Sequence, residues 1–381
     1  MHKLGLDWGT TTTSISFFQP EKNSYDYLKF GATNRDFFPT VIAYRQTKDG
    51  NEEIHIGSFA KQKMYSSSYD SYDNLKLNLN ASAHNTHGRK KSIFEASRDF
   101  IGTAIGEYIR AYKPNVNEIG IVFTIPDSWG KDIFLHPSLL LLEQIIRDIM
   151  PPEFDTDTLV SFCSEPVAAA AYYVSEICRD KFKGKLLIVD FGGGTLDLTL
   201  CDVEGPDAIT VMRRCGQIGE AEAGCAGEAF DWEITRAIAE AYNLPNHGSF
   251  YQKLKDSFEN AKISSPGLNG LLVDYYSSSG QDRKTITEKE ALTVSDVNDD
   301  EYPVTVGGIV GAFEKANLPA LKKCIAEIKA YCANAHIDIE DKSSFRVIFT
   351  GGFSNLYCVE ASVRMMLGAE LRSKVSVLIQ G

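Results

Sequence analysis

The chain lacks any apolar run approaching the roughly 18–20 residues of a membrane-spanning helix. Asp7 interrupts the N-terminus before a secretory apolar stretch develops, so neither a membrane partner nor a signal peptide is expected. Its eight cysteines form no C-x-x-C pair, and its seven histidines fall at no zinc-like spacing. That excludes a zinc module and leaves reduced, buried thiols in a cytoplasmic protein as the expectation. The P-loop, the G-x-G-x-x-G dinucleotide fingerprint, the H-E-x-x-H zinc helix and the G-x-S-x-G elbow are all absent. Positive charge is also scarce: 39 Lys and Arg stand against 51 Asp and Glu, a net −12, with no concentrated basic stripe. Nucleic-acid binding therefore has no electrostatic support.

What is present is a doubled segment. Residues 4–18 read LGLDWGTTTTSISFF and residues 186–200 read LLIVDFGGGTLDLTL. With Asp7 superposed on Asp190, an aromatic residue follows in each copy (Trp8, Phe191), then glycine (Gly9, Gly192), two small residues and a threonine (Thr12, Thr195). An apolar run, a carboxylate, a tight turn and a return to β-forming residues predict a hairpin with an acid at the end of its first strand. Consecutive turn amides make a nest for anions, and glycine lets the backbone approach a ligand closely. Thr10 and Thr11 in one copy, and Gly193 and Gly194 in the other, complete two phosphate-binding turns. Three successive glycines cost roughly 0.5–1 kcal/mol each relative to alanine in regular structure, which a plain turn has no reason to bear. Carboxylates repel phosphate, so a divalent cation is implied between Asp7, Asp190 and a polyphosphate gripped from both sides. Asp197 either holds a metal-bound water or satisfies its own turn.

At 381 residues, with 43% hydrophobic and 11% aromatic content, the chain is globular and too long for one ordinary core. Strands are predicted near 41–44, 53–56, 119–125, 159–163 and 346–350. Helices are predicted from Gly57, over 93–112, 138–149, 228–242 and 251–263, from 167, and as one long segment over 309–335. Residues 66–92, rich in Ser, Tyr, Asn and His, read as a surface excursion, and 277–283 as a polar turn before a strand pair. The polar connector at 181–185 places the boundary between residues 1–184 and 185–381. Mixed strands and helices make the class α/β.

Two further constellations carry chemistry. Gly351-Gly352-Phe353-Ser354, after a strand and before a helix, suits a nucleotide-contacting turn. Glu165 precedes Pro166 at a helix start, where it either favours the helix dipole or orients an attacking water. Lys61 either stabilises charge in such a transfer or is a solvated lysine.

Taken together, LGLDWGTTTTS, IGSFAKQ, SEPVAAAAYY, VDFGGGTLDLTL, AGEAFDWEI, ENAKISS and TGGFSN resemble the actin, hexokinase and heat-shock ATPase superfamily. Within it they are most similar to the nucleotide-binding domain of the seventy-kilodalton heat-shock chaperones, specifically a divergent branch. The resemblance implies a duplicated, ribonuclease H-like ATPase fold of two lobes with nucleotide in the cleft between them, slow ATP hydrolysis, and a lobe opening and closing switch. It implies ATP or ADP with Mg²⁺ held by Asp7 and Asp190. Phosphates would be cradled by Thr10–Thr12 and Gly192–Gly194. Lys61 and Glu165 would assist attack by water, with Thr195 near the γ-phosphate. Gly227 and Glu228 match the family's second-lobe glycine turn, Glu259 and Lys262 its ribose and adenine contacts, and Gly351–Ser354 its adenosine turn.

The chain departs from that pattern at three places. Ile263 stands where a basic residue is usual, the segment DSWGKDIF lacks an expected arginine, and the sequence stops at Gly381 soon after an expected strand at 375–379. The expectation is a C-terminally shortened ATPase domain, with protein clients or co-chaperones engaged through segments outside this sequence. A small-molecule kinase of the same fold and an actin-like filament protein are the alternatives.

Overall fold

A computed structural model describes residues 2–19, 21–30, 36–82, 90–115, 118–126, 129, 136–178, 182–217, 226–341, 343–368 and 376–377. The chain divides into two compact units, Met1–Ala168 and Ala169–Gln380.

The first unit opens with β1 (His2–Trp8), β2 (Thr12–Gln19), β3 (Ser24–Tyr27) and the short β4 (Phe38–Pro39). There follow β5 (Ile42–Gln46), β6 (Glu52–Ile56), α1 (Gly57–Lys63), β7 (Asp70–Tyr72), α2 (Leu75–Ser82) and α3 (Ile93–Tyr112). It ends with β8 (Ile119–Ile125), α4 (Pro137–Ile149), the one-turn α5 (Thr156–Leu159), β9 (Val160–Ser164) and the start of α6 (Glu165–Tyr172). Among the described residues the main sheet runs β3-β2-β1-β8-β9, with β4 beside β2. β1 is antiparallel to β2 but parallel to β8, and β8 is parallel to β9. Period-two alternation builds its core: Leu4, Leu6 and Trp8 on β1, and Ile119, Ile121, Phe123 and Ile125 on β8, are all buried. α3 covers them and starts at a capping box, in which Ser92 and Glu95 satisfy each other's backbone amides.

The expected surface excursion over 66–92 is corrected for residues 66–82, while residues 83–89 of that stretch lie outside the described residues. Asp70–Tyr72 adds a strand to β5, and α2 follows it with Tyr72, Leu75 and Leu79 buried. The polar composition masked an apolar pair at i, i+4, which suffices to seat one face of a short helix.

In the second unit α6 passes into a π-helical turn, Tyr173–Ile177. Then come β10 (Gly184–Phe191), β11 (Leu196–Gly205), β12 (Ala208–Gln217), α7 (Gly227–Tyr242), α8 (Gly248–Ser264), α9 (Leu268–Ser277) and α10 (Gly280–Thr287). The hairpin β13 (Glu290–Ser295) and β14 (Glu301–Thr305) leads to α11 (Val306–Ala316) and α12 (Leu318–Asn334). β15 (Phe345–Thr350), α13 (Tyr357–Leu367) and β16 (Ser376–Val377) complete it. Its sheet runs β12-β11-β10-β15-β16, antiparallel through the first three strands and parallel from β10 onward. This is the pairing scheme of the first unit repeated, so the doubled segment marks a doubled topology.

β10 is the central strand and is apolar on both faces. Leu187, Val189 and Phe191 join one core with α7 and α8, whereas Leu186 and Ile188 join another with Tyr173, Val174 and Phe182. The expected single helix over 309–335 is two helices. Asn317, fully buried, donates from Nδ2 to the Ala226 carbonyl at 2.9 Å, and Pro319 enters the first turn of α12 with no N–H to continue the α11 ladder. The polar stretch at 277–283 is the end of α9 and the first turn of α10, not a simple turn, and the strand pair follows it. Of the expected strand at 375–379, Ser376 and Val377 pair with Ile348 and Phe349; the rest lies outside the described residues.

Phe230 on α7 is the hub of the second unit's core, fully buried with Phe258 and Phe353 at ring-centroid distances of 5.8 and 5.3 Å. Phe230→Ala is expected to destabilise this unit by about 3–5 kcal/mol. The check is the denaturant midpoint at constant slope; a loss within experimental error would contradict the assignment.

Candidate functional site

In the first unit the β1 register sets Asp7 beside Ser14 on one side and Thr124 on the other. Thr124 Oγ1 donates to Asp7 Oδ1 at 2.6 Å. The turn after Asp7 needs glycine, because a Cβ on Gly9 would lie 2.4 Å from the Thr12 carbonyl oxygen. Thr40 ties the turn down: its amide donates to the Thr11 carbonyl at 2.9 Å and its Oγ1 to the Gly9 carbonyl at 2.9 Å. Thr11 and Thr12 remain exposed and Thr10 is half-buried.

Glu165 begins α6, and its Oε1 forms an ion pair with the Lys76 ammonium. Lys76, on α2, is only 6% exposed, so the pair is largely withdrawn from water. Nothing in the sequence pattern singled out Lys76, because a charged residue beside two buried leucines looks like a solvated helix position. Lys61 lies on α1, half-buried. The Asp7 carboxyl is held above its ordinary range. Solvent reaches the side chain, but the protein crowding around it weakens its hydration, and Glu165 adds like-charge repulsion. Lys76 and the Thr124 hydrogen bond pull the other way.

The second unit repeats the arrangement. Asp190 stands beside Asp197 on β11 and beside Thr350 on β15, the counterpart of Thr124. Thr350 Oγ1 is buried and has no hydrogen-bond partner among the described residues. The turn closes with the Gly192 amide donating to the Thr195 carbonyl at 3.0 Å. The first amides of α7, which no helical carbonyl can satisfy, donate back to it: Gly227 to Gly192 at 3.1 Å and Glu228 to Gly193 at 2.7 Å. Gly351 has φ +82°, and a Cβ there would lie 2.5 Å from Asp190 Oδ1, so only glycine admits this approach.

Asp197 is held by Arg214, whose Nε and Nη2 donate to Oδ1 at 3.0 and 2.7 Å. Like charges directly opposite on neighbouring strands are destabilising, and the guanidinium offsets the Asp190–Asp197 juxtaposition.

Farther along this unit, Lys262 forms an ion pair with the buried Asp231 and lies 5.5, 5.7 and 5.5 Å from the ring centroids of Phe230, Phe258 and Phe353. Its ammonium thus faces inward onto Asp231. Burial pushes the Asp231 carboxyl up to about 6, against the lowering effect of Lys262. Lys255 pairs with Glu228 at 3.2 Å. Glu259 is half-buried, Ile263 on the same helix is exposed, and Phe353 and Ser354 are buried.

Among the described residues no group of three or more His, Cys, Asp or Glu could hold a metal unaided. The carboxylate of each hairpin, taken by itself, is a donor of the type that suits Mg²⁺, which keeps several waters and binds through one or two carboxylates together with phosphate. The orphaned Thr350 hydroxyl beside Asp190 also fits a site that a polar ligand completes.

A doubled sheet with a carboxylate hairpin at each centre is the actin-like ATPase fold. No family model matches the chain. It is similar over 96% of its length, at 22% identity, to proteins named chaperone protein DnaK from Ureaplasma parvum and Ureaplasma urealyticum. It is 23% identical over 68% of its length to the DnaK of Endomicrobium trichonymphae. The chain is a divergent homologue of these seventy-kilodalton heat-shock chaperones, and it spans about half (54%) of the length of the Ureaplasma proteins. Among the described residues no helix is long and apolar enough to cross a membrane.

Asp231→Ala is expected to cost about 3–5 kcal/mol, because it strands the Lys262 charge among three phenyl rings. The double variant Asp231→Leu/Lys262→Met should recover most of that loss. Chemical denaturation of the singles and the double checks it, and a double variant as unstable as Asp231→Ala would show that the pair is not coupled.

Proposed function

We propose that this chain is the nucleotide-binding, ATP-hydrolysing part of a heat-shock-type chaperone. It binds Mg-ATP through its two hairpins, hydrolyses it slowly, and opens and closes its two lobes with nucleotide state. The observation that carries this reading is the doubled register of carboxylate, glycine turn and parallel-strand threonine: Asp7 with Thr124, and Asp190 with Thr350.

In this reading Thr10–Thr12 and Gly192–Gly194 receive the phosphates on backbone amides and hydroxyls. The Gly227 and Glu228 amides hold the second turn in shape. Asp7 and Asp190 would hold Mg²⁺, which supplies neutralisation of phosphate charge. Glu165 accepts a hydrogen bond from the attacking water and aims it, while Lys61 stabilises charge developing on the transferred phosphoryl group and Thr195 lies close to it. Phosphoryl transfer to water needs chiefly such positioning and charge stabilisation. Gly351–Ser354 and Glu259 line the adenosine side, whereas Lys262 turns its ammonium onto Asp231 and Ile263 offers an apolar face where a cation is usual. Clients and co-chaperones would engage parts of a longer protein.

Calorimetry with ATP, ADP and GTP in Mg²⁺, followed by phosphate release on the same sample, tests this reading. Adenine-selective binding with slow release into water is expected, and Lys61→Ala or Glu165→Ala should abolish turnover while keeping binding. Unchanged hydrolysis in both variants would remove those residues from the mechanism. Phosphate transferred to a sugar would instead make the chain a small-molecule kinase.

A further inference from the structure

The turn that follows β15 is held at both ends, and the hold at its exit comes from another helix. A single 3₁₀ turn, Gly352–Asn355, separates β15 from α13. At its entrance Gly351 lies against Asp190 and Phe191 of β10, where a Cβ would clash. At its exit the residue before α13 is Leu356, whose side chain has no oxygen with which to cap the helix. Asn269, on α9, supplies what Leu356 cannot. Its Oδ1 accepts from the Tyr357 amide at 3.0 Å, and its Nδ2 donates to the Asn355 carbonyl at 2.8 Å. One side chain thus satisfies an orphan amide of α13 and the last carbonyl of the turn.

Asn269 is itself exposed, yet its helix is firmly seated. Leu268 and Leu272, on either side of it, are buried in the core of this unit, and Tyr276 packs on Tyr357 with ring centroids 6.0 Å apart. Only residues 265–267 separate α9 from α8, the helix that carries Glu259 and Ile263. Asn269 therefore ties the end of α8, through a short link, to the turn after β15. A rigid bridge between two sides of a site reduces the ordering that a ligand would otherwise have to impose. We propose that Asn269 is a positioning residue for a bound nucleoside, setting the spacing between α8 and the turn at 351–354. This role rests on the Mg-nucleotide reading of the chain and adds to it the residue that preorganises the nucleoside side.

The test is calorimetry with Mg-ADP and with Mg-tripolyphosphate, which offers phosphates and no nucleoside. Asn269→Ala is expected to weaken ADP binding about tenfold, as loss of two hydrogen bonds and of preorganisation requires, and to leave tripolyphosphate binding unchanged. Asn269→Asp keeps the acceptor for the Tyr357 amide but loses the donor to the Asn355 carbonyl. It should therefore match the natural chain in thermal midpoint and still bind ADP more weakly relative to tripolyphosphate. An equal loss for both ligands overturns the proposal. Full recovery of ADP affinity in Asn269→Asp also overturns it, because capping of α13 would then be the whole role. A natural chain that binds neither ligand defeats the nucleotide reading and this role together, whereas ADP binding that Asn269→Ala leaves intact defeats Asn269 alone.

Discussion

A carboxylate at the end of a central strand is the constraint from which each unit is built. Asp7 and Asp190 each sit where a strand leaves the sheet, with an antiparallel neighbour on one side and a parallel one on the other. Such a group repels phosphate and resists loss of hydration, so its surroundings must supply donors and cations. The parallel neighbour supplies a threonine in register both times. Gly9 lets the turn after Asp7 close on the Thr12 carbonyl, and Gly351 brings its backbone close to Asp190. The rest of the sheet keeps these strand ends still: β10 is buried on both faces, and the first amides of α7 grip the second turn.

The net charge of −12 conceals where the cations are used. Lys76 answers Glu165, Arg214 answers Asp197, and Lys262 answers Asp231, each within its own unit. Exposed ion pairs contribute little to stability, but these three are mostly withdrawn from water, where an unpaired charge is expensive. The acids they answer lie at the start of α6, on β11 and on α7. With the anionic ligand proposed here, an acidic protein needs such local compensation, because its overall field opposes that ligand.

The doubled hairpin was legible because its signal is local: a carboxylate, a glycine or threonine turn, and β-forming residues on both sides dictate the same short geometry in each copy. The strand at 119–125, the helix at 93–112 and the helix at 251–263 were legible through periodicity. Composition misled at 66–92, where Ser and Asn outnumber the two leucines that decide the packing. Helical period carried on through Asn317 and hid the break before α12, since a buried asparagine bonding to the Ala226 carbonyl is a tertiary fact.

The sequence by itself determined the class of fold, the duplication, and the hairpin residues Asp7, Gly9–Thr12, Asp190 and Gly192–Thr195, because backbone conformation at a turn depends on the few residues that form it. Tertiary structure alone decided which strand lies beside each carboxylate, and hence that Thr124 donates to Asp7 and Thr350 stands in register with Asp190. It also decided that Glu165 pairs with Lys76, 89 residues away, and that Lys262 turns onto Asp231. Electrostatic pairing acts through space over a few ångströms, and no spacing along the chain encodes which charges the packed helices bring within that distance.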